Sequence, residues 1–79
     1  MKTQQQKKDL LKLYRLITNQ FYLNMKDRWT QDDYQTNKEY DKAIDKAETD
    51  YINTYNEKPQ AKNIDEIFEQ IKILRKELA

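Results

Sequence analysis

Asp41, Asp45 and Glu48 stand at i, i+4 and i+7, so a helix through them carries three carboxylates on one face. Such a group suits a hard cation or an acid–base pair. Carboxylate metal bundles, however, draw Glu and His from several helices, and this chain has no histidine. A two-carboxylate hydrolase needs opposed carboxyls across a cleft, for which 79 residues leave little room. A solvated acidic face is the preferred reading, with no metal, no cofactor and no enzyme activity expected.

A second constellation is basic. Lys8, Lys12, Arg15, Asn19 and Lys26 follow one another at steps of four, three, four and seven, the spacing of a single helix edge. Extended by Lys2, Lys7 and Arg28, that ridge could track phosphates, with Asn19 or Gln20 reaching a base edge. Against it, the formal net charge is only +1. No helix-turn-helix pattern is visible.

The missing residue types narrow the chemistry further. Cysteine is absent, which excludes disulfides, thiol catalysis and thiolate metal sites. Serine is absent as a nucleophile, and so is glycine, of which average usage would supply about five or six. Without glycine there is neither a phosphate-cradling loop nor a dinucleotide fingerprint. An all-α chain is what remains.

The elements that carry these groups are legible from periodicity and caps. Helix 1, residues 7–28, follows a polar lead-in expected to fray. It places Leu10, Leu13, Tyr14, Ile17, Phe21 and Met25 on one arc, widened by Leu11 and Tyr22 on one side and Leu16 and Leu23 on the other. Helix 2, residues 31–57, opens on Thr30 and Asp33 as a capping box, with Trp29 and Tyr34 as the hydrophobic staple. Its inner stripe is Tyr40, Ala43, Ile44, Ala47, Tyr51 and Tyr55. Pro59 stops it, and 58–62 form the second linker. Helix 3, residues 63–79, is capped by Asn63 and buries Ile64, Ile67, Phe68, Ile71, Leu74 and Leu78. Ile73 falls on its outer face.

The expected fold is one domain, a small three-helix antiparallel bundle in up-down-up order, with homodimerisation as a means of completing it. At 79 residues the core is thin, since a chain this short buries only about 60 to 65% of its extended surface. Residues 1–28 carry a net +5 and residues 30–57 a net −5, so helices 1 and 2 are complementary. Within helix 2, Glu39 with Lys42 and Lys46 with Asp50 are spaced to pair.

Helix 1 holds more large apolar groups than two thin partner helices cover, which points to a protein interface. Its expected members are Leu16, Tyr22, Leu23 and Trp29, with Lys12 and Arg15 as rim charges. The expected function is a non-catalytic protein-binding module, a small regulator or inhibitor, its partner a host protein or a second copy. Nucleic-acid binding through Lys8, Lys12, Arg15, Asn19 and Lys26 is the alternative, and helix 1 lying on a membrane surface is a third reading.

Lys, Asn, Ile and Tyr supply 31 residues against 8 from Gly, Ala, Pro and Arg, a bias that implies AT-rich codons. A phage or other mobile element of an AT-rich bacterium is the expected source. No leader peptide is expected, and the longest apolar run, Phe21, Tyr22 and Leu23, is far too short to span a membrane. A cytoplasmic location follows as an expectation.

Overall fold

The computed structural model describes residues 2–79 as three helices, α1 (Gln4–Asn24), α2 (Gln31–Tyr55) and α3 (Ile64–Leu78), with no strand among the described residues. The all-α three-helix bundle expected from the sequence is thus the architecture found.

α1 begins earlier and ends earlier than its periodicity indicates. Thr3 accepts a hydrogen bond from the Gln6 N–H at 3.1 Å, so Gln4 already lies in the first turn. Gln6, expected in the frayed lead-in, is buried and held by Tyr51 and Glu57. At the far end two tightened bonds, Met25 N–H to Tyr22 at 3.1 Å and Lys26 N–H to Leu23 at 3.2 Å, close the helix. Met25, assigned to the inward arc, therefore lies past the last turn and is 64% exposed.

α2 starts where its caps require. The Thr30 hydroxyl accepts from the Asp33 N–H at 3.2 Å, and the Asp33 carboxylate accepts from the Thr30 N–H at 2.9 Å. The Trp29 and Tyr34 rings meet edge to face at 5.0 Å, forming the staple. Its end falls at Tyr55 because Asn56 turns left-handed, at φ 55° and ψ 35°. In a chain without glycine, asparagine is the residue that enters that region most readily. α3 is capped by Asn63, which accepts from the Glu66 N–H at 2.9 Å, with Asp65 and Glu66 in the first turn and Arg75 and Lys76 in the last.

The expected up-down-up order holds for α1 and α2 only. Lys7 pairs with Glu77 at 2.9 Å while Phe21 meets Phe68 at 6.0 Å, so α3 also runs antiparallel to α1. The connection 56–63 makes this possible: extended, it reaches about 26 Å, enough to travel back along α1 before α3 begins. Tyr14 pins it, its hydroxyl accepting from the Ala61 N–H at 3.3 Å.

α1 is consequently the central helix, with α2 and α3 each packed on it and no close backbone approach between the two among the described residues. Leu10, Leu13 and Tyr14 of α1 join Tyr51, Ile67 and Leu74 in the buried core. The arrangement is open. Its radius of gyration is 13.5 Å, where a compact domain of this length has about 11.6 Å. It exposes 6179 Å², roughly 1,000 Å² more than surface–mass scaling gives for a compact 9.7 kDa monomer.

Candidate interaction surface

Packing α2 and α3 onto α1 leaves one face of α1 outward. Lys8, Leu11, Lys12, Arg15, Leu16 and Asn19 line a hollow of about 290 Å³ on it. They stand at i, i+3, i+4, i+7, i+8 and i+11, the spacing of one helix face. Leu11 and Leu16 are half-buried and form an apolar floor, while Lys8, Lys12 and Arg15 are exposed around it. A second hollow of about 230 Å³ adjoins the first and shares Lys12 with it. It lies on the seam with α2, and Asp9, Ala47, Asp50 and Thr54 are among its walls.

The charge of this face is unspent. Among the described residues, Lys8, Lys12 and Arg15 make no ion pair. Among the described residues, ion pairs between the basic and acidic segments occur only at the two ends, Lys2 with Glu57 at 3.5 Å and Lys26 with Asp33 at 2.8 Å. The expected complementarity of α1 and α2 is therefore not realised along their length. Nor do Glu39 and Lys42, or Lys46 and Asp50, form ion pairs among the described residues. Held on one solvated face of α2, their long side chains gain little by pairing.

The sequence-derived interface residues fall in three places. Lys12, Arg15 and Leu16 meet in the outward hollow together with Lys8 and Asn19. Tyr22 is 57% exposed on the α3 flank, its ring 5.8 Å from Phe68 and 5.9 Å from Phe21. Leu23 and Trp29 belong to the α1–α2 corner, where the Trp29 indole N–H donates to the Leu23 carbonyl at 3.0 Å. Lys26 leaves the basic ridge, because its ammonium is engaged by Asp33. Leu11 was missing from the expected interface. The polar residues alone define the ridge, whereas the full face pattern from Lys8 to Asn19 includes it.

Several polar groups elsewhere serve the fold. The Gln6 amide donates to the Tyr51 hydroxyl at 3.1 Å and to Glu57 at 2.9 Å. Burial pushes the Tyr51 and Tyr14 hydroxyls up from their ordinary range. The Tyr55 hydroxyl donates to the Asp9 carboxylate at 2.5 Å, and that bond, aided by desolvation, pushes its pKa up to about 12. The Lys26 ammonium and the Thr30 N–H hold the Asp33 carboxyl below its usual range. Asp41, Asp45 and Glu48 stay exposed, and Asp41 takes a hydrogen bond from Gln20 at 2.6 Å. No helix of the described residues is long and apolar enough to cross a membrane.

No protein-family model matches the chain, and no match is found among curated proteins or solved structures.

Proposed function

We propose that the chain is a non-catalytic protein-binding module that acts through the outward face of α1, as a small regulator or inhibitor belonging to a mobile element of an AT-rich bacterium. The observation that supports this reading is the hollow in which Lys8, Lys12 and Arg15, three cations with no ion pair among the described residues, lie beside Leu11 and Leu16. An apolar floor inside a charged rim is the anatomy of a protein contact. Phosphates would use the cations and leave the leucines without a role. The carboxylates of Asp9 and Asp50 in the adjoining hollow also oppose a polyanion.

Nucleic-acid binding is the second reading, favoured by one observation: Lys8, Lys12 and Arg15 make no ion pair among the described residues and lie on successive turns of one face. Affinity purification of tagged chain from an AT-rich bacterial lysate, split into nuclease-treated and untreated halves, separates the two. A protein retained near stoichiometrically in both halves supports the protein-binding reading. Retention of nucleic acid, with proteins lost on nuclease treatment, supports the second.

A further inference from the structure

We infer that the face formed by α1 and α2 is covered by a second copy of this chain, related by a twofold axis parallel to the helices, with each α1 seated on the other copy's α2. This rests on the protein-binding reading of the outward face and names its occupant. Three observations carry it: the unused surface, the small residues on the seam, and the height at which opposite charges sit.

The chain exposes 6179 Å², roughly 1,000 Å² beyond a compact monomer of its mass. A standard interface takes about 800 Å² from each partner, so one such contact absorbs the excess. The two adjoining hollows make a continuous strip from Lys8 and Leu11 across Lys12 to Ala47, Asp50 and Thr54. Ala47 and Thr54 are small enough for another helix to approach closely. Leu11 and Leu16 are half-buried apolar side chains for it to cover.

Symmetry then decides the register. A twofold parallel to the helices preserves height along them. Residues that flank the α1–α2 seam at one level therefore face each other again between the copies. Lys12 and Asp50 line the same hollow, so Lys12 of each copy comes to Asp50 of the other, twice per dimer. Neither residue has an ion-pair partner within its own chain among the described residues. A twofold perpendicular to the helices would instead stack α1 on α1, setting Lys8, Lys12 and Arg15 against their own copies. Like charges in contact oppose that arrangement. The favoured assembly has four central helices, each antiparallel to its neighbours, with α3 of each copy outside. Tyr22, beside Phe68 on the α3 flank, stays clear of this contact.

Sedimentation velocity of the full chain and of Lys12→Glu, Asp50→Lys and the double variant, each across roughly a hundredfold range of concentration, tests the assembly. The wild type is expected to dimerise. Each single change is expected to weaken the dimer by about tenfold, and the double variant to recover most of the loss, because the swapped charges meet again. Both residues are exposed, and circular dichroism of all four proteins verifies that the helices persist. A wild type that stays monomeric throughout overturns the inference. A dimer indifferent to both single changes, or weakened by both without recovery, also overturns it. A monomer that still retains a bacterial protein through Leu16 removes the second copy while leaving the protein-binding reading standing.

Discussion

The buried amide of Gln6 donates to the hydroxyl of Tyr51 at 3.1 Å, joining the first turn of α1 to the last turns of α2 across 45 positions of sequence. The same amide reaches Glu57 at 2.9 Å, and the Tyr51 hydroxyl donates to that carboxylate at 3.1 Å. These bonds hold in place a segment whose composition alone would leave it frayed. Gln6→Leu keeps the volume and removes both donors, leaving Tyr51 and Glu57 short of partners. A loss of about 1 to 3 kcal/mol is expected in urea unfolding followed by circular dichroism.

Leu13 has no exposed surface at all, and it sits where α1 meets the rest of the core. Leu13→Ala is expected to cost about 2 to 5 kcal/mol. With six buried apolar side chains in the core among the described residues, the chain has little stability in reserve. The variant should be largely unfolded at 37 °C by circular dichroism.

Thr30 caps α2 reciprocally with Asp33, and Thr30→Ala should destabilise the chain by about 1 kcal/mol. The Asp33 carboxyl is held below its ordinary value of 3.8 by Lys26 and Thr30. Because its folded pKa is the lower one, its contribution is fully present above that ordinary value and disappears as pH falls through the folded pKa. Thermal melts of wild type and Asp33→Asn should therefore converge as the medium is acidified below pH 3.8.

Tyr55 shows the opposite sign. Its pKa rises from 10.0 to about 12 because its hydroxyl donates to Asp9. The stabilisation is complete below the ordinary value and is lost as pH climbs through the folded one. Absorbance titration at 295 nm, a wavelength that reports tyrosinate, should show late-ionising tyrosines, Tyr14 and Tyr51 among them, and a step near 12 that Tyr55→Phe removes. Asp9→Asn should bring that step back toward 10.0.

What the sequence reveals of this chain is local in origin. Thr30 with Asp33, and Asn63 before its helix, announce helix starts because the bonds involved span three residues. The inward stripe of α2 and that of α3 are legible for the same reason, since helical spacing alone puts their members on one side. Gln6 was not legible, because its partners lie 45 and 51 positions away. Asn56 was not either: an asparagine in that setting is as easily a polar surface residue as a left-handed cap. The direction of α3 follows the path of the connection 56–63, which meets Tyr14 at Ala61, a contact that no periodicity encodes.

Which candidate surface residues lie together was legible only in part. Lys12, Arg15 and Leu16 share a face by spacing alone, and the structure gathers them in one hollow. Trp29 was legible as a staple residue beside Tyr34, while the bond from its indole N–H to the Leu23 main-chain carbonyl was not. Tyr22 was separated from the hollow by the path of α3, whose Phe68 draws it to the other flank. Lys26 was taken from the basic ridge by Asp33, which itself belongs to the cap of α2.

The outward face of α1 as a protein contact is tested most directly by affinity purification with wild type and Leu16→Asp from the same nuclease-treated lysate. Leu16 is half-buried in the floor of the hollow and outside the core cluster, so the variant is expected to keep its helical circular dichroism. The expected result is that wild type retains a protein partner, its own second copy or a bacterial protein, and that Leu16→Asp loses it. Equal retention by a folded Leu16→Asp, or wild type that retains nucleic acid and no protein, would contradict the proposed contact surface.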